Sequence, residues 1–94
     1  KTLANELGQY GITVNNILPR ATDTIRLKEL AEIKSQKTGQ SIEEIFEEMA
    51  NESPMKRIAK PHEVAAAVAF LASPEASYIN GINLPVDGGR TKSL

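Results

Sequence analysis

The sequence predicts an α/β fold in which two parallel strands are joined through helices. Three observations predict it. ITVNNIL (residues 12–18) is rich in branched apolar residues and bounded by Gly11 and Pro19, as a strand should be. INLPV (residues 82–86) alternates, with Ile82, Leu84 and Val86 on one side, and reads as a second strand. The residues between carry helical spacing, so the order is helix, strand, helical pair, helix, strand. Strands joined this way favour a parallel pair with a right-handed crossover. Two strands alone make a poor sheet, so further strands are expected outside this chain.

The elements follow in order. Residues 1–7 form a helix that stops near Gly8, with Gly11 giving a second break. Leu3 and Leu7 share one face of it. No capping residue precedes this helix and the first residue is Lys1. That fits a trimmed or processed terminus or, as favoured here, the tail of a longer protein. Residues 25–36 place Ile25, Leu27, Leu30, Ala31 and Ile33 at mixed helical spacing, which predicts a partly exposed helix. Thr38-Gly39-Gln40 breaks it. Ser41 opens the next helix, with Glu44 three residues on completing a capping box. Ile42, Ile45, Phe46 and Met49 form one stripe, and Glu43, Glu44, Glu47 and Glu48 face away. The stripe alone is ordinary core packing.

Pro54 ends that segment. Pro61 starts a helix at its first position, where a missing N–H costs nothing. Residues 63–73 are apolar almost all round, so this helix needs cover on several sides. In so short a chain that cover is expected from an absent segment or another subunit. Ser73-Pro74 ends the helix, Tyr78 to Gly81 is a turn, and Asp87-Gly88-Gly89 is a tight turn. Pro85 cannot donate to a ladder and belongs at a strand end or a sheet edge.

Composition excludes several classes. The chain has 94 residues and a net charge of −1, which gives no electrostatic case for nucleic acid or an anionic membrane surface. There is no cysteine and one histidine, His62, so thiolate and His-based metal sites are not expected. No stretch is apolar and long enough to span a bilayer, and no signal peptide is visible. A cytoplasmic protein is the expectation.

Three separated blocks carry a resemblance. ELGQYGITVN (residues 6–15), KPHEVAAAVAFLAS (60–73) and YINGINLPVDGG (78–89) are similar to the C-terminal part of short-chain dehydrogenases/reductases, and occur in that family's order. The branch most resembled holds the 3-oxoacyl-(acyl-carrier-protein) reductases and related sugar and alcohol dehydrogenases. The resemblance implies that residues 1–94 are the C-terminal segment of one NAD(P)-binding Rossmann-type domain with a doubly wound parallel sheet. They would supply its last two strands and their helices. Residues 25–50 would be the substrate-side helical lid, the most mobile part. The family's glycine-rich turn and its catalytic serine, tyrosine and lysine would lie upstream, leaving no catalytic residue here. Tyr10 and Tyr78 lack a lysine four residues on, the spacing that stacks both side chains on one helical face. Lys1 is read as a solvated helix lysine.

The same resemblance bears on NNILPRATDT (residues 15–24). In open α/β sheets, ligands bind beyond the carboxyl ends of strands. Pro19 matches the family's proline there. Thr22 falls where a residue offers its backbone to the nicotinamide carboxamide, and Thr24 where a hydroxyl reaches the carboxamide or a phosphate. Both threonines could instead merely cap the next helix. Arg20 departs from the family's glycine. Either the backbone there is ordinary, or the guanidinium faces the cofactor phosphates or an acidic substrate. The cofactor-binding candidates are therefore Pro19, Arg20, Thr22 and Thr24.

The implied activity is NAD(P)(H)-dependent interconversion of a carbonyl and an alcohol by hydride transfer, on a 3-oxoacyl-type small molecule. A sugar or polyol dehydrogenase, or a non-catalytic scaffold that kept the fold, are the alternatives. NAD and NADP are not distinguished. The resemblance also implies a homo-oligomer, dimer or tetramer, assembled through helix 61–72 and strand 82–86. That helix could instead pack only on its own sheet.

Overall fold

The structure, a computed structural model, describes residues 1–92. Six main elements follow one another: α1 (Thr2–Leu7), β1 (Asn16–Pro19), α2 (Ile25–Thr38), α3 (Ile42–Asn51), α4 (Pro61–Leu71) and β2 (Asn83–Val86). Two short 3₁₀ turns follow α1 (Gly8–Tyr10) and α4 (Pro74–Ala76). The strands are parallel neighbours in a two-stranded sheet, pairing Asn16 with Asn83 through Pro19 with Val86. The expected α/β arrangement with a parallel pair is present. Among the described residues no helix is long and apolar enough to cross a membrane.

Both strands are shorter than the sequence predicts, starting at Asn16 and Asn83 rather than Ile12 and Ile82. The reason is a set of asparagine side chains that occupy the ladder's place. The Val14 N–H donates to Asn80 Oδ1 (2.9 Å), and the Asn80 side-chain amide donates to the Ala4 carbonyl (3.0 Å). Asn15 donates to the Ile79 carbonyl (3.2 Å) and accepts from the Ile82 N–H (3.1 Å). Val14 and Asn15 are thus tied to the 79–82 turn mainly through side chains, with one backbone bond from the Gly81 N–H to the Val14 carbonyl (3.0 Å), in place of a continuous ladder. Lys1 is not merely solvated, because its ammonium donates to the Gly81 carbonyl at 2.8 Å.

Pro85 lies inside β2, opposite Leu18. The Asn16 N–H donates to the Ile82 carbonyl (2.9 Å) and the Arg20 N–H to the Val86 carbonyl (3.4 Å). Even-numbered residues of β2 therefore face β1. Pro85, an odd one, turns its missing N–H outward, where it costs no ladder bond.

Helix ends follow their caps. Gly11 and Gly39 stop α1's 3₁₀ extension and α2 in the left-handed conformation (φ 74° and 78°), which glycine adopts without strain. The Ser41–Glu44 capping box forms at α3. Ile45 and Ala31 are fully buried between α2 and α3, whereas Ile25 and Ile33 stand exposed. Leu3 of α1 is also exposed, and Ala4 is the residue that helix buries. No residue of α4 is buried, and Val68 and Phe70 remain half exposed.

Candidate functional site

Beyond β1 the chain is stitched in place. Arg20 extends the ladder by one bond, and the Thr22 hydroxyl donates back to the Arg20 carbonyl (2.7 Å). Thr22 pairs with Ala59 in a single parallel bridge: the Ala59 N–H donates to the Ala21 carbonyl (3.0 Å) and the Asp23 N–H to the Ala59 carbonyl (2.8 Å). Those bonds use the neighbours of Thr22. Its own N–H and C=O point the other way and have no partner among the described residues. Thr24 caps α2, its hydroxyl oxygen accepting from the Leu27 N–H (3.2 Å). A cap uses the oxygen as acceptor and leaves the hydroxyl hydrogen able to donate elsewhere. Arg20 is not in the left-handed region, so the arginine imposes no backbone strain where the resemblance implies a glycine.

A cavity of about 320 Å³ opens at the carboxyl ends of both strands. Its walls include Arg20, Met49, Met55, Ala59 and Val86. Pro19, Thr22 and Thr24 do not line it. The four sequence-derived candidates are thus contiguous, but only Arg20 reaches this cavity.

Five charged groups at the cavity are already engaged. Arg57 forks onto Glu63 through two bonds of 2.7 and 2.8 Å. Glu63 also accepts from the Lys60 N–H (2.9 Å), closing the first turn of α4. The hydrogen bond from Arg57, followed by that from the Lys60 backbone, lowers the Glu63 carboxyl from 4.5 to about 2. The same pairing raises Arg57. Arg90 meets Glu52 at 3.2 Å. Asp87 turns both carboxylate oxygens onto its own turn, accepting from the Gly89 N–H (2.9 Å) and the Thr91 N–H (2.8 Å). Thr91, first through its side chain, holds that carboxyl below the usual range.

Ser53 fastens the end of the helical pair to this turn. It is buried, its hydroxyl donates to the Gly88 carbonyl (3.4 Å), and it accepts from the Met55 N–H (3.1 Å). Gly88 (φ 64°) lies so close that an added Cβ would run into the Ser53 hydroxyl. The sequence reading missed Ser53, Arg57, Glu63 and Asp87. Only Glu63 left a usable signal, standing three residues after the residue that precedes Pro61, the spacing of a cap partner.

A family model described as enoyl-(acyl carrier protein) reductase matches residues 1–91. The chain is 43% identical over 90 residues to the short-chain reductase protein NovJ of Streptomyces niveus, covering 96% of this chain and 33% of that one. The chain belongs to the short-chain dehydrogenase/reductase family. A short-chain dehydrogenase family protein from Francisella tularensis superposes with a TM-score of 0.94 at 35% identity, over 99% of this chain and 38% of that one. L-sorbose reductase from Gluconobacter frateurii, solved with NADPH and L-sorbose, gives 0.88 at 35% identity, over 99% and 36%. The fold is accordingly part of the Rossmann-type sheet of this dehydrogenase/reductase family. The chain spans about a third of the length of the curated relatives it matches.

Proposed function

We propose that these residues are the rear third of an NAD(P)(H)-dependent oxidoreductase that interconverts a carbonyl and an alcohol. The observation that carries this is the unpartnered backbone of Thr22, held rigidly at the carboxyl end of β1 by the Ala59 bridge. A primary carboxamide offers one acceptor and two donors. An N–H and a C=O displayed side by side by one residue match that pattern. Thr24, with its hydroxyl hydrogen still available, is a second partner, and Pro19 ends the strand at the right place. Bound NAD(P)H would supply the hydride. The chain's own part is to hold the nicotinamide in one orientation, which is worth more to the rate than extra ground-state affinity.

Residues 25–50 would form the lid on the substrate side. Among substrates, 3-oxoacyl compounds are the first expectation. The likeness to L-sorbose reductase supports sugars or polyols as the alternative. The half-exposed Val68 and Phe70 of α4 and the outer edge of β2 suit a homo-oligomer interface. Sedimentation of a Phe70→Asp variant as a smaller species checks that assembly.

The decisive test uses the polypeptide that carries these residues, with its intact mass recorded. It should oxidise NADPH or NADH only when a carbonyl compound is present. Thr22→Pro, which lacks the N–H, should raise the Michaelis constant for the cofactor about two- to tenfold, the worth of one hydrogen bond. A protein that turns over no carbonyl with either cofactor, and binds neither, overturns the proposal.

A further inference from the structure

Of the charged groups that line the cavity at the strand ends, Arg20 differs from the rest. Arg57 is neutralised by Glu63 and Arg90 by Glu52. The Asp87 carboxylate is spent on the N–H groups of Gly89 and Thr91. Arg20 has no carboxylate partner and donates no side-chain hydrogen bond among the described residues. Its backbone, by contrast, is fixed twice, by the ladder bond to Val86 and by the Thr22 hydroxyl. Arg20, with an unpaired guanidinium on a fixed stem, shares the cavity lining with the apolar residues Met49, Met55 and Val86, a combination that suits a ligand with an apolar body and an oxyanion at one end.

We infer that Arg20 is a specificity-determining residue that selects carbonyl substrates bearing an oxyanion, a carboxylate or a phosphate, bound in the 320 Å³ cavity. A guanidinium fork matches either oxyanion with two parallel bonds. The cavity is at the lower end of the range for small-molecule sites, which suits a short acyl chain. The Pro19–Thr22–Thr24 group lies outside its lining, so Arg20 falls to the substrate and the cofactor to its neighbours. Asp87 faces the same space, and its two amide partners disperse the charge that would otherwise repel an anion.

This inference rests on the oxidoreductase reading, and two measurements keep them apart. The first is turnover by the polypeptide that carries these residues, using neutral and anionic forms of one carbonyl. One pair is 6-oxoheptanoate against its methyl ester. The other is acetoacetyl-coenzyme A against the neutral N-acetylcysteamine thioester of acetoacetate. Arg20→Gln should lower kcat/KM about tenfold to a hundredfold for the anionic member of at least one pair. It should leave the neutral members and the Michaelis constant for NADPH within about twofold. Loss confined to the oxo acid identifies a carboxylate, and loss confined to the coenzyme A ester a phosphate. Arg20→Lys, which keeps the charge without the fork, should fall between.

The second measurement is calorimetric titration with hexanoate and with hexan-1-ol, which needs no turnover. Arg20→Gln should weaken hexanoate about tenfold or more and leave hexan-1-ol unchanged. Hexanoate binding lost in Arg20→Gln, in a protein that reduces no carbonyl, would sink the oxidoreductase reading and keep the anion site. Equal effects on neutral and charged members, an effect on the NADPH constant alone, or Arg20-independent hexanoate binding would overturn this inference.

Discussion

The helical pair and the strand-end turn hold together by opposite means. Among the described residues α2 and α3 pack on each other and on no other helix or strand, and the fold is 54 Å long but only 23 × 22 Å across. The pair's buried contact is apolar and narrow, centred on Ile45 and Ala31, with Glu48 meeting Lys34 and Gln40 on its exposed rim. The strand-end region buries few apolar side chains and is fastened by directional bonds instead: the Thr22–Ala59 bridge, the Ser53–Gly88 contact and the Arg57–Glu63 fork. A unit with one buried layer can open without disturbing its neighbours. A unit of interlocked hydrogen bonds keeps its geometry or loses it. That division would suit the proposed lid and the proposed cofactor partners, of which only the first needs to move.

The largest effect should come from cutting the narrow layer. Ile45→Ala removes the largest fully buried side chain of the described residues and should cost roughly 2–5 kcal/mol, the range for such truncations. Hydrogen exchange should accelerate across residues 25–51, while residues 57–64 and 83–90 keep their protection. Equal acceleration in both regions would mean that the pair and the strand ends unfold together, and the contrast drawn here would be lost.

Gly88→Ala attacks the other region and is expected to cost roughly 2–4 kcal/mol. A non-glycine residue is strained in the left-handed region, and the new Cβ overpacks against Ser53. Removing the obstructing hydroxyl should recover part of the loss, so Gly88→Ala with Ser53→Ala should be more stable than the sum of the two single changes. Chemical denaturation of the four proteins checks this. Strict additivity would show that Ser53 and Gly88 do not communicate, and that the segment after α3 is not fastened to the turn.

The two regions also differed in how far the sequence disclosed them. The helical pair was legible almost to the residue. Ser41 with Glu44 marks one start, Gly39 marks one stop, and the stripe through Ile45 marks the buried face, because these are local signals at fixed spacings. The strand ends were not. Asn15 and Asn80 replace the ladder across more than sixty positions of chain, and a pairing of that separation leaves no periodicity to read. The parallel order of the strands was legible from the helices between them. At the site, the family pattern drew attention to Pro19, Arg20, Thr22 and Thr24. Thr24 as the cap of α2 was among the local readings, but nothing local could reveal that the backbone of Thr22 is the unpartnered part, or that Arg20 alone of the four reaches the cavity. Those facts depend on where Ala59 returns, which no spacing between residues 24 and 59 encodes.

The smallest expected effect tests whether the polar fastening of the strand-end region responds to pH as the helical pair does not. Glu63 titrates in the folded chain at about 2, against an ordinary 4.5, chiefly because Arg57 and then the Lys60 N–H bind its ionised form. A carboxyl depressed by folding stabilises the folded state above its unfolded value. That contribution is lost as pH falls from about 4.5 through 2. The side chains of Arg57 and Glu63 are 46% and 32% exposed, so solvent screens the pair and the loss is modest. Amide exchange in the first turn of α4 should therefore quicken across that window, and Glu63→Gln should flatten the step. Asp87 is depressed as well and lies at the same cavity, so Asp87→Asn serves as the control and should leave the α4 step in place. The α2–α3 interface is apolar at its buried centre and should lose no protection through this pair. If the α4 step survives in Glu63→Gln but vanishes in Asp87→Asn, the turn rather than the Arg57 fork governs how the strand ends respond to acid.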